Sequence, residues 1–102
     1  MIRGISDLSY NDAKRLVIAI IERMKDEEEA LLKESEEKKI TILQCEYKKR
    51  LLKGHQERKE NDMLIEECNR RMDEIEGELF ALADRRNYFE IQLEMLGARK
   101  EA

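Results

Sequence analysis

The chain has 102 residues, 43% of them charged and 5% aromatic, with no proline and a formal net charge of −4 at pH 7. That balance excludes a thick-cored globule and fits long, solvated helices. Disorder is excluded too, because the apolar residues recur at a fixed period, and an acidic balance argues against binding to nucleic acid or a membrane surface.

No stretch reaches the roughly 18 to 20 apolar residues that span a bilayer. The longest apolar run, Leu16 to Ile21, is also too short and too far in for a signal-peptide core. The expected compartment is the cytoplasm, with the nucleus as the alternative. Cys45 and Cys68 have no close-spaced partner and fall on apolar helix faces, as reduced, packed thiols do.

Residues 1–8 read as a lead-in, with Gly4 breaking any early helix. Ser9-Tyr10-Asn11-Asp12 has the acidic form of a capping box, which places a helix start beside Tyr10. The first helix is expected over residues 9–53. Its seam is Val17, Ile21, Met24, Glu28, Leu31, Ser35, Lys38, Ile42, Cys45, Lys49 and Leu52. Leu16 to Ile21 is apolar around most of the circumference, so that end calls for more than one neighbour.

Gly54 follows Lys48, Lys49, Arg50 and Lys53, an arrangement that suits the negative end of a helix closed by a left-handed glycine. Residues 54–61 are expected to form the turn, since His55 to Asn61 contains no apolar residue. A second helix is expected over residues 62–97, ending before a polar tail at 98–102. Its seam is the strongest signal in the chain: Ile65, Cys68, Met72, Ile75, Leu79, Leu82, Arg86, Phe89, Leu93 and Leu96, apolar everywhere but Arg86. Alternating steps of three and four are the spacing of a coiled coil.

Two arms of nearly equal length around Gly54 predict an all-α fold, an antiparallel coiled-coil hairpin. Folding there sets Leu16 to Ile21 near the apolar stretch from Tyr88 to Leu96, and brings Glu28 close to Arg86. These two charged seam residues read as register pins. A broad apolar end is expected to join two copies as a homodimer, completing a four-helix bundle. The residues expected at that interface are Tyr10, Val17, Ile18, Ile21, Tyr88, Phe89, Ile91 and Met95.

The chemistry of catalysis and metal binding finds no pattern here. Cys45, His55 and Cys68 lack ligand spacing, and no phosphate loop, nucleophile elbow or catalytic carboxylate pair is present. Acidic runs such as Asp26 to Glu29 sit at the spacing of solvated helix faces. No enzyme activity, cofactor or metal is therefore expected. The tip holds Lys48, Lys49, Arg50, Lys53, Arg58 and Lys59, a positive cluster on an acidic chain. It could compensate the helix dipole or dock an acidic surface; nucleic acid is disfavoured because no aromatic lies between the cations to stack bases. The expected role is a non-catalytic scaffold or adaptor that binds protein partners. A chaperone-like or regulatory binder of a client helix is the first alternative, and nucleic-acid binding through the tip the second.

Overall fold

A computed structural model describes residues 8–101, with side chains described through Ala98. The lead-in expected at 1–8, apart from Leu8, and the side chains of the tail beyond Ala98 lie outside the described residues. Two helices account for the fold, α1 over Tyr10–Lys49 and α2 over His55–Glu101. They form an all-α helical hairpin, turned by residues 50–54. Among the described residues, no helix is long and apolar enough to cross a membrane.

The start of α1 follows from its cap. The Asp12 amide donates to Ser9 Oγ at 3.2 Å and the Ala13 amide to the Ser9 carbonyl at 2.9 Å. Ser9 thus satisfies donors that the first turn leaves open, and Asp12 places negative charge at the positive helix end.

The turn departs from expectation in three ways. α1 ends at Lys49, not at residue 53: the Arg50 amide reaches back to the Tyr47 carbonyl at 3.2 Å and the Leu51 amide to Lys48 at 2.8 Å, tightening the last turn. α2 begins at His55, seven residues before the expected residue 62. Gly54 is the N-cap of α2, not a left-handed stop for α1. Its carbonyl accepts the Arg58 amide at 3.1 Å, and its φ lies outside the left-handed region. The first turns of α2 need no apolar residue because polar groups support them. Glu57 faces the helix dipole, Gln56 Nε2 donates to Glu60 Oε1 at 3.1 Å, and Arg58 Nε ties the Leu52 carbonyl at 2.7 Å.

A fourth difference lies at the other end, where α2 continues through Gly97 to Glu101 where a polar tail was expected from residue 98. A single glycine costs a helix about 1 kcal/mol relative to alanine, too little to stop a long one.

The hairpin divides into two compact units. The first contains the described residues up to Glu28 and from Phe80 onward. Its core is Ala13, Val17, Ile21 and Leu96, with Leu8, Tyr10, Phe89 and Leu93 packed against it. Met24 and Leu82 are also buried. Val17 and Leu96 are fully enclosed, each contributing about 1.5–3 kcal/mol of burial. Arg86 Nη1 donates to Glu28 Oε2 at 2.5 Å, so the two charged seam residues do meet. Helical side chains lean toward their own N-terminus, so in an antiparallel pair these two lean toward each other.

The second unit is Glu29–Leu79. Cys45, Cys68 and Ile75 are buried in it, with Leu31, Ser35, Lys38, Ile42, Ile65, Met72 and Leu79 half-buried. The seam of α2 begins one step earlier than its first apolar residue, at Asn61. This side chain is buried, and its Nδ2 donates to the Cys45 carbonyl at 2.9 Å. A polar residue is tolerated there because its amide is satisfied across the helices. Lys49, a seam position by spacing, is instead exposed and paired with Asp62 at 3.4 Å.

Candidate functional site

The residues expected at the broad apolar end separate into two groups. Val17 and Ile21 are buried within the first unit, and Phe89 and Tyr10 pack on the same core. The hairpin itself encloses Val17 and Ile21 and covers part of Phe89 and Tyr10. Tyr88, Ile91 and Met95 are 47%, 45% and 42% exposed, and they recur at steps of three and four along one face of α2. Ile18 is half-buried. Tyr88 is held by its neighbour, with the Phe89 ring edge-on at 5.3 Å and 83°. The apolar residues of this stretch of α2 that the hairpin leaves exposed are therefore the narrow row Tyr88–Ile91–Met95.

At the basic tip, two of the expected cations have work inside the chain. Arg58 caps the Leu52 carbonyl, and Lys49 pairs with Asp62. Lys48, Arg50, Lys53 and Lys59 are exposed. Arg50 lies past the end of α1.

A second apolar row lies on the outer face of α1 in the second unit. Ile40, Leu43 and Tyr47 are 49%, 70% and 63% exposed, and Leu51 follows them into the turn. With Gln44 and Lys48 they line a shallow groove. No site was expected there. Its signal was present in the sequence, as a run of three- and four-residue steps offset from the buried seam.

The densest charge cluster is also in this unit. Arg71 grips Glu34 with two bonds, Nε to Oε2 at 2.5 Å and Nη2 to Oε1 at 2.9 Å. Its Nη1 reaches Glu74 and Glu78, both at 3.2 Å. Glu34 is thus committed across the helices. Hydrogen bonding to Arg71 holds the Glu34 carboxyl below its ordinary value of 4.5, with partial burial opposing. Glu34, then Glu78 and Glu74, push Arg71 above its already high ordinary value. Arg71 joins all three carboxylates, which makes the cluster a clasp between the helices.

A carboxylate with a lowered folded-state pKa stabilises the fold above its unfolded-state value, and that support goes as pH falls through the folded value. We expect the melting temperature to hold near neutrality and to fall below about pH 4.5, the ordinary value of Glu34. Glu34→Gln should lower the neutral-pH melting temperature and flatten this acid limb. An acid limb of unchanged steepness in that variant would remove Glu34 from the account.

Among the described residues, no group of three or more His, Cys, Asp or Glu side chains is placed to hold a metal ion. Compared with known proteins, the chain matches no family model, no curated protein and no solved structure.

Proposed function

We propose that this protein is a non-catalytic interaction module, a scaffold or adaptor subunit that binds protein partners through helix faces its own fold leaves uncovered. The observation that carries the reading is the row Tyr88–Ile91–Met95 on α2, each residue 42–47% exposed. Single exposed apolar residues are ordinary, but a row at helical spacing is the form in which one amphipathic helix receives another. The partner at this row is an apolar helix face. A second copy there would complete a four-helix bundle; a helix of another protein would make the module an adaptor or a chaperone-like binder. Free, buried Cys45 and Cys68 suit a reducing compartment, the cytoplasm or nucleus.

The tip supports a structural role better than nucleic-acid binding. Arg58 and Lys49 serve the turn, and the remaining cations have no interleaved aromatic.

The test is Ile91→Asp, placed on the exposed row and away from the core. In pull-downs from the native source, the wild type should retain a protein partner. Ile91→Asp should lose at least about ten-fold in that binding, the effect of a charge in an apolar contact, with helix content by circular dichroism unchanged. Equal binding by the variant would refute this surface.

A further inference from the structure

The outer face of α1 in the second unit carries a pattern of charge that names its occupant. Ile40, Leu43 and Tyr47 form the apolar row, exposed by about half or more. Lys39 and Glu46 flank it on one side, Glu37 and Lys48 on the other, all four exposed. We propose that this face binds the same face of a second copy, with the two α1 helices antiparallel about a two-fold axis beside Thr41 and Ile42. The inference deepens the proposed function by giving self-association its own surface, distinct from the Tyr88–Ile91–Met95 row.

The register follows from the side chains. In an antiparallel helix pair related by a two-fold axis, like flanks face each other. Setting Ile40 of each copy against Leu43 of the other brings Lys39 beside Glu46 of the second copy on one flank. On the other flank it brings Glu37 beside Lys48 of the second copy. The two-fold axis repeats both, giving four ion pairs around the apolar row. Tyr47 then lies against Glu36 of the second copy, whose carboxylate can accept from the phenol.

Alternative pairings lose this match. Sliding the copies by one heptad in one direction sets Lys39 against Lys39, and in the other Glu46 against Glu46. A parallel pair in register places Glu36 against Glu36 in the seam. It also sets Lys39 beside the uncharged Gln44, so no flanking ion pair forms. Each surface pair contributes little alone, but like charges in the competing registers let the set choose orientation and register. An unrelated partner helix would meet this self-complementarity only by coincidence.

The test uses exchanged charges on the full chain, because all the altered residues are exposed. Sedimentation equilibrium should show a dimer for the wild type. Lys39→Glu should weaken it about ten-fold, since it sets acid against Glu46 twice, and Glu46→Lys should do the same with two lysine contacts. Mixing the two variants should restore wild-type affinity as a heterodimer, since every flank is then matched again. Leu43→Asp should give a monomer of unchanged helix content.

A mixture no tighter than either variant alone would overturn the proposal. So would a wild-type monomer at about 100 μM, or a dimer indifferent to Leu43→Asp. If self-association or partner binding then depended on Ile91 and not on Leu43, this inference would fail while the proposed function stood. Loss on Leu43→Asp and on charge reversal, with recovery on mixing and none of it sensitive to Ile91→Asp, would support this interface by itself.

Discussion

Ile75→Ala is expected to lower the unfolding free energy by about 2–5 kcal/mol, the range for emptying a buried aliphatic site. Ile75 is 1% exposed and, among the described residues, one of the largest fully buried side chains. A hairpin of two helices has only one seam to bury, so each enclosed residue carries a large share of the total stability. Domains of this size have about 5–15 kcal/mol in all. The variant should therefore show fraying or outright unfolding of α1 and α2 together at 37 °C. Phe80→Ala is the control: the residue is larger but 79% exposed, and its removal should change stability by less than about 0.5 kcal/mol. Urea titration followed at 222 nm reads both. If the two variants shifted the midpoint equally, the seam would not be the source of cohesion.

That contrast between Ile75 and Phe80 also shows which parts of the structure were legible in the sequence. The buried face of α2 was readable from Ile65 to Leu96, because a heptad repeat leaves only one stripe that a neighbouring helix can cover. Arg86 and Glu28 were readable as partners, since charged residues at seam positions need each other. The turn was not readable. His55 to Glu60 has no apolar residue, and its helicity depends on an N-cap at Gly54 and on the bonds from Gln56 and Arg58. Such contacts leave no periodic trace.

Asn61 was hidden for the opposite reason. It holds a seam position in polar form, and only the bond to the Cys45 carbonyl shows that it belongs there. The candidate site was half legible. Apolar excess marked the region from Tyr88 to Met95, but whether Val17 and Ile21 serve a partner or the core depends on how tightly the hairpin closes. The row Ile40–Leu43–Tyr47 is not singled out by the fold, because the inner seam of α1 already accounts for the hairpin and nothing in it requires a second apolar face.

Replacing both charged seam residues, Glu28→Leu together with Arg86→Leu, is expected to stabilise the hairpin while reducing its uniqueness. The pair meets at 2.5 Å, with the Arg86 and Glu28 side chains 31% and 36% exposed. Two ions so placed give up part of their hydration, and their attraction repays it only in part. Apolar substitutes of similar size avoid the loss and are commonly more stable by about 1–4 kcal/mol in fully buried cases. Partial exposure places this pair near the lower end, about 1 kcal/mol.

Either single change should instead destabilise, because it leaves the other charge half-buried without its cross-helix partner; Arg86 would retain only Glu90, at 3.8 Å. With both charges gone, the seams of α1 and α2 in the first unit are apolar through that layer, and sliding one helix by a heptad no longer strands an ion in it. The double variant should melt at higher temperature and show more than one set of amide resonances, whereas the wild type should show one. A single set of resonances together with a higher melting temperature would mean that the ion pair does not select the register, and that Asn61 and the Arg71 clasp are sufficient to fix it.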